Sequence, residues 1–130
     1  MYLIGTSIWV EIFLGSPLGK KAKSIMEKNE CFAPDITLAE VSKWCILNNF
    51  EPGQIEGLME LSCHGIISTS KKGFLRAGAL WNSVNTSRKK GRLVGLIDCI
   101  IAATAEENNL VVFTKDRHFM HFDKIAVEMI

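Results

Sequence analysis

Residues 96–116 read LIDCIIAATAEENNLVVFTKD. The first part, Leu96 to Asn108, predicts a helix that is apolar on nearly every side, with Asp98 set among Leu93, Val94, Leu96, Ile97, Cys99, Ile100 and Ile101. Its carboxylate has almost no polar face to occupy, and leaving it buried and unpaired costs on the order of several kcal/mol. Asp98 therefore needs either an interior partner, such as an arginine or a backbone amide, or a wet cleft. Leu110 to Phe113 then reads as an apolar strand, and Asp116 follows just beyond its end. In open α/β sheets ligands bind outside the carboxyl ends of parallel strands. Asp116 is equally suited to capping a short helix that starts there.

Outward from this stretch the chain alternates short strands with helices. Tyr2 to Ile4 is β-prone and runs at Thr6 into a helix carrying Ile8, Trp9, Ile12 and Phe13. Gly15-Ser16-Pro17 ends it, and a second helix with Lys20, Lys21 and Lys23 on a polar face continues to about Lys28. Cys31 to Ala33 is a second strand, and Leu38, Val41, Trp44 and Cys45 mark a helix from Thr37 to about Asn48 and Asn49. Pro52 opens a helix through Leu61, and Gly65 to Ser68 is a third strand. An amphipathic segment with Phe74, Leu75, Leu80, Trp81 and Val84 follows Lys71, and a final strand lies near Ile125 to Val127. This order predicts one α/β domain over residues 1–130, with a short parallel sheet between two helical layers.

At 130 residues with 48% hydrophobic content, the chain is sized for one core. A net charge of +1 sets up no general field for a polyanion, so nucleic-acid contact must come from a local patch. Cys31, Cys45, Cys63 and Cys99 form no Cys-x-x-Cys pair and sit in apolar surroundings, as reduced thiols of a cytoplasmic protein do. Glu11 interrupts the apolar N-terminus and Asp98 the 93–105 run, so neither a signal peptide nor a membrane span is expected.

Glu40 joins the two aspartates as a third acid of interest. Thr37-Leu38-Ala39-Glu40 fits a capping box at a helix start, and the same first-turn position also aims the carboxylate at the sheet edge. Acids gathered in a partly desolvated cleft repel one another, and a hard cation such as Mg²⁺ or Mn²⁺ relieves the repulsion. Such an ion orients and acidifies water for attack on a phosphodiester, which points to a nucleic-acid backbone as substrate.

Met1-Tyr2-Leu3-Ile4-Gly5-Thr6-Ser7, Pro34 to Val41, Leu96 to Ala105 and Val111 to Asp116, in this order and separation, resemble the PIN-domain family, and especially its VapC-type toxin ribonucleases. The resemblance covers nearly the whole chain. It implies a PIN-like α/β/α fold and metal-dependent endoribonuclease activity, with four acids around one or two Mg²⁺ or Mn²⁺ ions. Glu40, Asp98 and Asp116 match the second, third and fourth acids, and Ser7 and Thr114 match hydroxyls near the metal. It also implies an RNA substrate, a homodimer and a cognate antitoxin whose C-terminal segment blocks the cleft. Gly5 departs from the pattern, which has aspartate there. A weakened or inactive nuclease is one consequence, and a catalytically dead module binding RNA or protein is the alternative. Glycine also has an ordinary use where a strand turns sharply into a helix.

Ser7 and Thr114 each have local roles too, as hydroxyls serving backbone amides at a helix start or strand end. Lys115, Arg117 and His118 flank Asp116 and are candidates to hold phosphates. Arg88, Lys89, Lys90 and Arg92 form the densest basic cluster, suited to an RNA backbone or simply to a charged loop. Cys63-His64 lacks a second pair at zinc-ligand spacing. Trp9, Phe13 and Trp44 suit the core first, and a partner groove if exposed. A receiver domain would need paired acids after the first strand, and a dinucleotide-binding domain a Gly-x-Gly-x-x-Gly turn; neither is present.

Overall fold

The computed structural model describes residues 1–89 and 91–130. Five strands, β1 (Tyr2–Ile4), β2 (Cys31–Pro34), β3 (Ile66–Ile67), β4 (Val111–Thr114) and β5 (Val127–Met129), form one sheet in the order β3-β2-β1-β4-β5. Every pairing is parallel, as the alternation of strands and helices implied. Among the described residues six α-helices cover the sheet: α1 (Thr6–Leu14), α2 (Pro17–Met26), α3 (Ile36–Leu47), α4 (Ile55–Ser62), α5 (Lys71–Asn85) and α6 (Leu96–Glu107).

The period-two pleat divides the core into two halves. Leu3 and Val112 face one way and pack with Ala77 and Leu80 of α5 and Cys99, Ala102 and Ala103 of α6. Ile4, Ala33 and Phe113 face the other way, against Ile8 and Trp9 of α1, Ala22 of α2, Val41 of α3 and Met59 of α4. Trp9 is fully buried, which answers the core-or-groove alternative for that residue; Phe13 and Trp44 are only partly buried. All four cysteines are free, and burial pushes the Cys31 and Cys99 thiols up to about 11.

Several elements differ from expectation in extent. β3 is two residues long, Ile66–Ile67, without Gly65 and Ser68; Ser70 then caps α5, its Oγ accepting from the Gly73 amide at 2.9 Å. β5 begins two residues late, in register with Val112, Phe113 and Thr114. Pro52–Gln54 is a 3₁₀ turn that precedes α4. In α5 the inward stripe is Gly73, Ala77 and Leu80, so Leu75 is exposed. Lys90 of the basic cluster lies outside the described residues.

α2 crosses α1 at Gly19, where an added Cβ would stand 2.2 Å from the Glu11 carbonyl oxygen and 2.5 Å from its carbon. Helix backbone cannot yield as a side-chain tip does, so the crossing depends on glycine. Gly19→Ala is expected to lower stability by about 3 kcal/mol, at the upper end of overpacking costs; urea unfolding that shifted by less than about 0.5 kcal/mol would refute this.

Candidate active site

β1 is the point at which the sheet order reverses, with β2 on one side and β4 on the other. The crevice beyond the carboxyl ends of β1 and β4 is therefore where an open parallel sheet binds its ligand. A cavity of about 220 Å³ opens there, lined by Thr6, Ser7, Glu40, Asp98, Thr114 and Asp116, with Ile101 and Phe119 beneath.

Each acid reaches it from a different element. Glu40 comes from α3, and its role differs from the predicted capping box. The helix starts at Ile36 with Asp35 as its N-cap, which places Thr37 inside the first turn, its hydroxyl donating to the Pro34 carbonyl at 2.6 Å. Glu40 is thereby free of the helix start and accepts a 2.5 Å hydrogen bond from the Thr6 hydroxyl of α1. Asp98 lies in the first turn of α6, where a carboxylate is favoured by the helix dipole. Asp116 follows β4 and does cap the 3₁₀ turn Arg117–His121, its Oδ1 accepting from the His118 amide at 2.9 Å. The capping and cleft-lining roles of Asp116 are compatible because an ionised carboxylate offers about four lone-pair sites, so an oxygen that accepts the amide keeps a further one.

Asp98 is the group under most electrostatic pressure. Burial, then Asp116 and Glu40, raise its pKa from 3.8 to about 6, against the opposing effect of His118. Its side chain is 19% exposed, so it faces the cleft and is not sealed in the core. No arginine or lysine pairs with it among the described residues; its neighbour is His118 Nδ1, 3.5 Å from Oδ2.

The hydroxyls fasten the floor of the crevice. Ser7 Oγ and Thr114 Oγ1 are 3.1 Å apart; Ser7 also accepts from the Lys115 amide at 3.2 Å, and Thr114 from the Asp116 amide at 3.0 Å. The strand-end role weighed for Thr114 is thus present, whereas Ser7 serves β4 instead of its own helix start. Lys115 turns away to form an ion pair with Glu11, holding that carboxyl below its ordinary range with help from Ser16. Arg117 is exposed, and His118, its side chain 44% exposed, sets Nδ1 near Asp98 and Asp116. His64 Nδ1 accepts from the Cys31 amide, a local structural use.

Gly5, buried at the end of β1, donates its amide to the Phe113 carbonyl at 2.9 Å. Its φ of −70° and ψ of 156° are open to any residue, so the turn into α1 does not require glycine. An added Cβ would be close but accommodated by small shifts, 3.2 Å from Thr114 Oγ1 and 3.3 Å from the Phe113 oxygen.

Two contacts were not evident from sequence: the Thr6 clasp on Glu40, and the approach of His118 to Asp98 and Asp116. The spacing Asp116-x-His118 in a tight turn was their only trace for the second, and Thr6 beside Ser7 for the first. The donor set suits a divalent ion: single ligand atoms of Asp98, Asp116 and His118 lie within 4.8 Å of one another, and Glu40 shares the cavity.

The chain has the fold of several solved toxin–antitoxin proteins. It is similar to a chain of VapBC2 from Rickettsia felis, bound to a promoter DNA fragment, at 23% identity and TM-score 0.72, covering 98% of this chain and 97% of that one. A toxin–antitoxin complex from Klebsiella pneumoniae gives 23% identity and TM-score 0.73, covering 99% and 97%. The sarcin-ricin-loop-cleaving toxin VapC20 of Mycobacterium tuberculosis gives 13% and 0.65, covering 86% and 87%. No curated protein sequence matches the chain. The PIN-domain model matches residues 2–125, a span that takes in all three acids and the strands that aim them, and on that match the chain belongs to the PIN-domain family.

Proposed function

We propose that the chain is a metal-dependent endoribonuclease of the VapC toxin type, weakened by Gly5, and that residues 1–130 act as one PIN domain. The observation that carries this is the meeting of Glu40, Asp98 and Asp116, from α3, α6 and the turn after β4, in one cavity beside Gly5. Those three residues would hold Mg²⁺ or Mn²⁺. When bound, such an ion supplies Lewis-acid chemistry: it acidifies water and neutralises charge on a phosphodiester. The chain's own residues set the geometry. Thr6 fixes Glu40, Asp116 is held by the His118 amide, and the Ser7–Thr114 contact keeps the ends of α1 and β4 in register. RNA would approach across the mouth of the cleft, with Arg117 as an exposed cation beside it.

A cognate antitoxin and a second copy of the chain are the proposed partners. Supporting them, a mainly apolar cavity of about 590 Å³ is lined by Val10, Ala39, Trp44, Leu47 and Ile97 beside Thr6, Glu40 and Lys43, and Leu47 is exposed. No helix among the described residues is long and apolar enough to cross a membrane, and a cytoplasmic location belongs to this proposal. The alternative, a PIN domain that binds RNA or protein without cleaving, is favoured by one observation, the absence of a side chain at Gly5.

The two are separated by incubating the chain with structured RNA in Mn²⁺ and in EDTA. Slow Mn²⁺-dependent cleavage, lost in Asp116→Asn, is expected; cleavage that survives Asp116→Asn belongs to a contaminant and defeats the proposal. Mn²⁺ at about 100 times its Kd is also expected to stabilise the chain by about 2.7 kcal/mol. A thermal scan should lose that gain in Glu40→Gln.

A further inference from the structure

Resting on the metal-site assignment above, we infer that His118 is a direct ligand, so that Asp98, Asp116 and His118 form a mixed carboxylate–imidazole site selecting a first-row transition ion over Mg²⁺. His118 Nδ1 lies 3.5 Å from Asp98 Oδ2 and 3.8 Å from Asp116 Oδ1. Both gaps are longer than the roughly 2.7–2.9 Å of a close charge-assisted hydrogen bond. Donors sharing an ion with bonds of about 2.0–2.2 Å stand about 3–3.6 Å apart at tetrahedral or octahedral angles. One observed spacing falls in that range and the other about 0.2 Å above it.

The turn holds the backbone of His118 in place before any ion arrives. The His118 amide donates to Asp116 Oδ1, and the next residue, Phe119, is 2% exposed and packed with Phe122 at 5.8 Å between ring centroids. The backbone that carries the imidazole is therefore fixed beside the acids, while the side chain itself is 44% exposed. Nδ1 is the ring nitrogen near both acids, and in the Nε2–H tautomer it carries the lone pair a metal needs. With no side chain at Gly5, the ring supplies a donor that the cleft otherwise lacks. Imidazole suits transition ions, whereas Mg²⁺ prefers oxygen donors and gives up its water reluctantly.

The test titrates the metal-free chain with Co²⁺, Mn²⁺ and Mg²⁺ by calorimetry and records the visible spectrum of the Co²⁺ form. Co²⁺ and Mn²⁺ are expected to bind at least about tenfold more tightly than Mg²⁺. His118→Ala should weaken Co²⁺ and Mn²⁺ by about 10–100-fold, alter the Co²⁺ bands, and leave Mg²⁺ within about twofold. Glu40→Gln separates the two levels of the assignment. If Glu40→Gln weakens all three ions while His118→Ala changes neither affinity nor spectrum, the imidazole is not a ligand and only this inference fails. If neither variant matters, it fails together with the site. A His118→Ala chain altered only in RNA affinity also overturns it.

Discussion

Gly5→Asp is expected to cleave RNA in Mn²⁺ about 100-fold faster than the Gly5 chain, the size of effect seen when one group supporting a metal or a developing charge is restored. The backbone at Gly5 already has a conformation open to aspartate, and the Cβ needs only a small retreat of Thr114 and the Phe113 carbonyl. A new carboxylate at the end of β1 would join Glu40, Asp98 and Asp116 across the cavity. The same change carries a stability signature. Without metal the fourth acid adds repulsion and crowding, and the variant should be less stable by about 1–3 kcal/mol. With Mn²⁺ the deficit should close, since an ion bound only by the folded chain stabilises it. Single-turnover cleavage and paired thermal scans in EDTA and Mn²⁺ measure both. If the variant binds Mn²⁺ more tightly yet cleaves no faster, Gly5 is not what limits this chain.

Asp98→Asn should stabilise the metal-free chain at pH 7.5 while abolishing its response to metal. Asp98 has its pKa raised from 3.8 to about 6, so between those values the folded chain binds more protons at this position than the unfolded chain. Stability from this group is therefore highest below pH 4, declines as pH rises from 4 to 6, and stays low above. A shift of this size amounts to about 2–3 kcal/mol, and asparagine, which does not ionise, avoids it. Urea unfolding in EDTA at pH 4, 6 and 7.5 should give nearly equal stability for the two chains at pH 4 and a gap that opens by pH 7.5. A constant gap across that range would mean that Asp98 is not the strained acid. The trade is typical of binding sites, where charge is held in place for a ligand at the expense of the free fold.

The α/β alternation and the parallel sheet were legible because buried parallel strands leave continuous apolar runs, such as Leu110 to Phe113, between amphipathic helices. Asp98 was legible for an electrostatic reason: a carboxylate on a helix with no polar face must be satisfied by something outside that helix. The sequence also determined which acids were available and that none stands at Gly5. Element ends were less legible, as at β5, which begins two residues late because its extent is set by pairing with β4.

Only the tertiary structure decided what each acid touches. Thr37 and Glu40 satisfy the local spacing of a capping box, yet Asp35 starts the helix earlier and Thr6, 34 residues away, takes Glu40 instead. Lys115 looked free to meet phosphate until α1 brought Glu11 beside it, and His118 looked like a phosphate contact until the turn after β4 set it beside Asp98. Local pattern reports the energetics of a few neighbouring residues. The direction and partner of a polar side chain depend on groups that the sheet order brings together, and β1 lies between β2 and β4 only once the chain has folded.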